Sequence, residues 1–245
     1  LTMEAYYLTD NIRLYNDKME YKKDDIYLPI KKYNWHHILN EYGWEKIHKP
    51  WITKLNQLSV KKEKNSRFGI LDCESDGDCF FHCIANSLNE RDINTDNYYI
   101  SDDIRKLISD NISQDQFNLM ITTYRIMKDA DDFSEEWDPY EVSTLADFKN
   151  TLNTSGHSYW GDFMLLQVLS EILKVNIYIL NTNEYQNEYN VYHTMCEYKR
   201  DYDNIFLLLE NSCHFKLIGY FDDKMITYFR SDEIPIELKK LLEHH

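Results

Sequence analysis

The order of hydrophobic patterns along this chain predicts an α/β domain of the α+β kind, a small and mostly antiparallel sheet flanked by helices. Segments with apolar residues at three- and four-residue spacing crowd positions 79–173, whereas β-branched and alternating runs crowd positions 175–229. Composition agrees. Hydrophobic residues make up 43% and charged residues 28%, and 20 Tyr and 11 Phe stand against 6 Gly and 4 Pro, which describes a packed domain and not a disordered one. At 245 residues there is room for one sizeable domain with an appendage.

The appendage is expected over residues 1–65. It carries Tyr6, Tyr7, Tyr15, Tyr21, Tyr27, Tyr33, Trp35, Tyr42, Trp44 and Trp51, too many rings for a disordered tail, and is expected to be a helical extension packed on the main domain. Asn34 to Leu39 reads as a helix start, Gly43 as a stop, and Trp51 to Leu58 as a second helical face. His36 and His37 point about 100° apart on a helix and so do not read as a metal pair. The charged run from Val60 to Ser66 is the candidate linker.

The main domain is expected over residues 66–230. Phe68, Ile70 and Leu71 enter as a strand, and an acidic loop from Asp72 to Asp78 containing Gly77 follows. Cys79 then starts a helix whose apolar residues are Phe80, Phe81, Ile84 and Leu88. Ser101 with Asp102 and Asp103 opens a helix through Ile104, Leu107, Ile108 and Ile112, its acidic first turn matching the helix dipole. Another runs through Phe117, Met120, Ile121 and Tyr124 to an acidic interruption at Asp129–Asp138. Pro139 is expected to open a third, with Val142, Leu145, Phe148 and Leu152 inward. A polar loop at 153–158 leads through Trp160 and Gly161 into a helix from Asp162 to about Leu173. Strands are expected at Val175–Leu180 and Tyr189–Met195, joined by a polar loop, then a hairpin of Ile205–Leu209 with the run starting at His214, then Met225–Phe229. Residues 231–245 are expected to form a terminal helix from Pro235 and, from Leu242 to His245, a tag remnant.

The chemistry concentrates at two places. A thiol at a helix start faces unpaired backbone N–H groups that favour the thiolate, the nucleophilic form. A cysteine so placed and a histidine on a distant strand are what a cysteine protease needs, since the two must meet in space and not in sequence. Cys79 and His214 fit those places.

Asp76-Gly77-Asp78-Cys79-Phe80-Phe81-His82 resembles the D-G-(N/D)-C-(L/F)-(F/Y)-(R/H) motif of the ovarian-tumour (OTU) cysteine proteases. Tyr159-Trp160-Gly161-Asp162, with Leu165, Leu166, Leu169 and Ser170, is similar to that family's W-G block. Cys213-His214-Phe215 is similar to its histidine strand. The three stand in the family's order and cover about residues 67–220. The resemblance implies a papain-related fold and a deubiquitinase that hydrolyses isopeptide bonds at the ubiquitin C-terminus, with ubiquitin and polyubiquitin chains as partners. Cys79 is implied as nucleophile and His214 as general base and acid. Asp76 is implied as an active-site loop residue acting mainly through its main chain, and the backbone N–H groups from Asp76 to Cys79 as the oxyanion site, where Gly77 lets the chain come close. Gly77, Asp78, Trp160 and Gly161 are the expected substrate-binding residues, an acidic groove with an aromatic floor suiting a tail that carries arginines.

One position departs from the pattern. Many members place Asn or Asp two residues after the histidine to orient it; here that residue is Lys216. Two readings stay open: a bare Cys–His dyad, or an acceptor from elsewhere, for which Asp72, at the end of the strand before the loop, is the candidate, as in some OTU-like proteases. The departure also motivates the alternative of a catalytically weak or inactive OTU-fold module that binds ubiquitin.

A net charge of −15 argues against a nucleic-acid partner, because no basic stripe is available to neutralise phosphates. No run approaches the roughly 20 apolar residues that cross a bilayer, so no membrane association is expected. Five cysteines without framework spacing suit a reducing compartment. A zinc site drawn from Cys79, Cys83, Cys213 and His214 is disfavoured because C-x3-C is not the tight knuckle spacing. The expectation is a cytoplasmic monomer without cofactor or metal; the richness in Asn, Asp, Ile, Lys and Tyr suits the AT-rich genome of a large DNA virus or an intracellular microbe.

Overall fold

The computed structural model describes residues 5–60, 65–74, 76–183, 188–192 and 198–243. Most of the expected linker, the end of the Tyr189–Met195 strand, Cys196, and His244 and His245 of the expected tag lie outside them.

The first four elements are not helical. β1 (Tyr6–Tyr7), β2 (Ile12–Tyr15), β3 (Lys18–Lys23) and β4 (Ile26–Pro29) form an antiparallel meander. Its two tight hairpins turn at Asn16-Asp17 and Asp24-Asp25, with all four residues at positive φ. Two-residue hairpin loops need that left-handed conformation, and Asn and Asp adopt it more readily than other residues with a side chain. The expectation of a helical extension is corrected here: residues 6–29 are strand, and helix begins only with α1 (Trp35–Ile38), which leads through a 3-10 turn to Gly43. The meander contributes Ile12, Leu14 and Met19 to the main core, and Met19 N–H donates to Asp223 O.

β5 (Trp44–Lys46) then joins the main sheet beside β6 (Phe68–Asp72), and between them α2 (Lys49–Leu58) covers one face. The expected boundary near residue 66 therefore falls between two paired strands. Trp35 Nε1 donates to Ser66 O at 3.1 Å, and Trp51 Nε1 to Thr182 Oγ1 at 2.7 Å, giving two buried indoles the partners they need.

Five helices follow: α3 (Cys79–Arg91), α4 (Ser101–Asn111), α5 (Gln114–Asp129), α6 (Leu145–Leu152) and α7 (Phe163–Leu173). Ser113 and Thr144 cap α5 and α6 through reciprocal bonds with Gln116 and Asp147, each cap being worth about 1 kcal/mol. The second cap corrects one expectation: α6 starts after Thr144, and Pro139 lies in the turns before it. The capping pattern, and not the proline, marks this start.

The remaining strands are β7 (Val175–Asn183), β8 (Glu188–Tyr192), β9 (Asp203–Glu210), β10 (His214–Asp222), β11 (Lys224–Ile226) and β12 (Tyr228–Phe229), and α8 (Ile236–Glu243) ends the described chain. The sheet runs in the order β5-β6-β10-β9-β7-β8, antiparallel except for the β7–β9 pair, with β11 on β10 and β12 on β9. It is larger than the small sheet expected. Alternation gives its central strands two buried faces. Ile205, Leu207 and Leu209 pack in the layer under α3–α7, while Phe206 and Leu208 pack with α2 and α8. Leu242, read from sequence as tag, lies in α8 and packs against that second layer. No helix among the described residues is long and apolar enough to span a membrane.

Candidate active site

Cys79 is the first residue of α3 and is 9% exposed. Phe215 N–H donates to its Sγ at 3.5 Å, and His214, the first residue of β10, interacts with the same thiol. On its other side His214 Nε2 lies 2.8 Å from Asp72 Oδ1 at the end of β6. The structure thus brings Cys79, His214 and Asp72 together in one line. The hydrogen bond with Cys79, the bond with Asp72 and the charge of both outweigh burial and push the His214 pKa up to about 9.

Strand register explains the acid. Lys216 sits directly opposite Asp72 across β6–β10, and His214 sits two residues away on the same face by alternation. Lys216 Nζ lies 3.5 Å from Asp72 Oδ2 and 3.1 Å from Glu210 Oε2. Partial burial opposes the Lys216 charge, but these two carboxylates hold its pKa above the usual lysine value.

The loop before Cys79 is held by its own side chains. Asp76 Oδ1 accepts from Asp78 N–H at 3.0 Å, and Asp76 Oδ2 meets His82 Nε2 at 3.1 Å. Against the cost of its partial burial, those two contacts keep Asp76 below the usual carboxylate range. Its carboxylate therefore braces the loop, a larger part than the main-chain role expected. Asp78 N–H is thereby committed within the loop. Ser75 lies outside the described residues.

Asp78 differs from its expected role. It is 4% exposed, and its carboxylate pairs with the buried Arg105 of α4 and accepts from Gly156 N–H at 3.1 Å, so it faces inward and not toward a bound tail. Arg105 also donates to Leu152 O at 2.9 Å and Tyr159 O at 2.8 Å and lies over the Phe81 ring. The loops at 76–79 and 152–159 are joined through this one guanidinium. Gly77, at φ +91°, lies so close to Gly156 that a Cβ would meet its carbonyl carbon at 2.5 Å, and a Cβ on Gly161 would enter the Phe80 ring. Both glycines are thus packing requirements next to Cys79. Trp160 is half-buried; its backbone N–H donates to Glu135 Oε2 at 2.7 Å, and its ring lies 5.9 Å from that of His157. Burial, reinforced by the charge of Asp162, pushes Glu135 up to about 8.

Arg105, Glu210 and Glu135 are site-building residues that sequence reasoning missed, as are the parts played by Lys216 and His82. The signal for Arg105 was a charged residue inside an apolar stripe, between Ile104 and Ile108. Cys73, Cys79, Cys83 and Cys213 are free thiols, and burial pushes the Cys83 thiol well up, which leaves it unreactive beside Cys79. Among the described residues Glu74, Asp76 and His82 bring ligand atoms within 4.8 Å of one another, a grouping that the Asp76–His82 pair accounts for without an ion.

Residues 74–214 match the family described as OTU-like cysteine protease. A protein of Tipula iridescent virus named as a ubiquitin thioesterase is 30% identical over 121 residues, which is 49% of this chain; the match spans only 13% of the viral protein's length. An OTU deubiquitinase from Wolbachia pipientis wMel, solved bound to ubiquitin, is 15% identical, with 65% of this chain and 98% of that one covered, at a TM-score of 0.42. The OTU domain protease of Farallon virus is 17% identical over 63% of this chain and 85% of its own, at 0.41.

Proposed function

The chain belongs to the OTU-like cysteine protease family, and from that premise we propose that it is a deubiquitinase, hydrolysing isopeptide bonds at the ubiquitin C-terminus. The observation that carries this reading is the Cys79–His214–Asp72 line. Cys79 as thiolate attacks the carbonyl carbon while His214 holds the thiol proton on Nδ1, with Asp72 accepting from Nε2–H. The tetrahedral oxyanion is met by backbone N–H groups of the turn before Cys79. As the C–N bond breaks, His214 gives its proton to the leaving amine, the lysine side chain of the conjugated protein. Water then attacks the thioester, with His214 taking its proton, and the ubiquitin carboxylate and free thiol are restored. Ubiquitin and polyubiquitin chains are the proposed partners.

The motive for an inactive binding module was the lysine at position 216. Asp72 in bonding reach of His214 supports the active reading instead. A ubiquitin probe with a C-terminal electrophile tests it. The wild-type protein is expected to form a covalent adduct and Cys79→Ala none, while a panel of di-ubiquitins reads the linkage. A wild-type protein that holds the probe only non-covalently would overturn the reading.

A further inference from the structure

Asp72 is an exposed side chain in a demanding position. The side chain is 54% accessible at the end of a strand, yet His214 requires its carboxylate in one orientation. An exposed carboxylate is free to rotate toward water, and a misplacement of about 1 Å in an active site can cost roughly a hundredfold in rate. Something must hold it. The oxygen not used by His214 is 3.5 Å from Lys216 Nζ, and that lysine side chain is itself 14% exposed, its ammonium anchored 3.1 Å from Glu210 Oε2. The other Glu210 oxygen is 3.3 Å from Nε2 of His48, the residue that precedes α2. Glu210 stands opposite His214 across β9–β10, and Lys216 opposite Asp72 across β6–β10, so the backbone ladder fixes all four side chains on one face of the sheet.

We propose that Lys216, backed by Glu210, is a positioning residue that holds Asp72 in the orientation in which it bonds His214. The lysine occupies the place where an imidazole acceptor was expected from the resemblance, and acts one step further out by gripping the acceptor that comes from β6. The inference rests on the reading of Cys79, His214 and Asp72 as the reacting set.

Two simpler roles for Lys216 predict different results. As a bare positive charge near His214, its removal would favour the imidazolium and raise the His214 titration midpoint. As a positioning residue, its removal frees Asp72, weakens the Nε2–H bond and lowers that midpoint. A purely structural lysine would shift stability and leave the midpoint and kcat unchanged.

The test compares Lys216→Met, Lys216→Arg, Asp72→Ala and the double variant Lys216→Met/Asp72→Ala in the full chain. Imidazole NMR reads the His214 midpoint, and a fluorogenic amide of the ubiquitin C-terminus reads turnover. Lys216→Met is expected to lower the midpoint and to lower kcat roughly ten- to a hundredfold with KM little changed. Lys216→Arg, which can reach the same two carboxylates, should recover most of the rate. In the Asp72→Ala background the Lys216→Met change should add nothing further, because its effect passes through Asp72. If Lys216→Met proves unfolded in a thermal scan, Glu210→Gln, which loosens the lysine without emptying the site, is read by the same two measurements. A midpoint that is unchanged or raised, or wild-type kcat in a folded Lys216→Met protein, overturns the proposal. Should the wild-type protein leave the ubiquitin amide intact, the midpoint still reports on Lys216, so failure of the proposed function and failure of this inference are separable.

Discussion

Arg105 and Asp78 form an ion pair shut away from solvent, with side chains 1% and 5% exposed, the aspartate standing one residue before Cys79. Breaking such a pair by removing one partner leaves an uncompensated buried charge, at a cost of about 3–5 kcal/mol. Arg105→Met is therefore expected to lower the unfolding free energy by an amount in that range, seen as a lower urea midpoint, and to reduce turnover because the loop at 152–159 loses its tie to the Cys79 turn. A loss under about 1 kcal/mol in equilibrium unfolding would count against this pair as the clamp.

Asp72→Ala should reduce kcat/KM tenfold to roughly ten-thousandfold, the span seen when an orienting acid is taken from a triad, with the fold undisturbed. Asp72→Asn, whose amide oxygen can still accept from His214 Nε2–H, should lose less, as Cys–His–Asn proteases function with that residue. Equal, wild-type rates for both would mean that the dyad works alone.

The raised pKa of His214 fixes a pH window. The protonated imidazole is favoured by the folded state, so the stability it contributes is complete below about 6.5, the unfolded value, and is lost as pH rises through about 9. The alkaline limb of kcat/KM should lie near 9, where the imidazolium is lost. The bond with Cys79 is the largest cause of the shift, so Cys79→Ala should move the His214 midpoint down by imidazole NMR. A midpoint near 6.5 in the wild-type protein would contradict the assignment.

Glu135 works in the opposite sense. Burial raises its pKa to about 8, so the folded state prefers the neutral acid and loses stability from about pH 4.3, the unfolded value, up to about 8. Glu135→Gln keeps an oxygen for Trp160 N–H without the charge. It should be more stable than wild type at pH 8.5, by on the order of 1 kcal/mol, and little different near pH 4. Identical melting curves at both pH values would remove the basis of this expectation.

Local patterns made much of this site legible, and long-range register hid the rest. Cys79 at a helix start, His214 at the head of a strand and Asp72 at the end of another are each visible within a few residues of sequence. The partnership of Lys216 with Asp72 is not, because it depends on β6 pairing with β10, and Asp72 and His214 lie 142 positions apart. Arg105 escaped notice because a charged residue is almost never fully buried unless paired, and its carboxylate is on another element. The meander was missed for a chemical reason: its turns use Asn16-Asp17 and Asp24-Asp25, while the strongest hairpin signals contain glycine. Trp35 and Trp51 read correctly as helical, yet nothing near them in sequence indicates that their indoles would reach Ser66 and Thr182.

The three side chains proposed to react answer to two kinds of support. His214 and Asp72 leave from hydrogen-bonded strands, so their separation is set by a backbone ladder. Cys79 is delivered by a turn braced by Asp76, Asp78, His82 and Arg105. Loss of activity can thus arise in two distinguishable ways. An insult to the brace displaces the thiol and leaves the imidazole–carboxylate bond standing, whereas an insult to the ladder unseats the base while the thiol stays at its helix start. Inactive variants of the first kind should keep a defined Asp72–His214 contact, and those of the second should keep a Cys79 that still accepts small alkylating reagents.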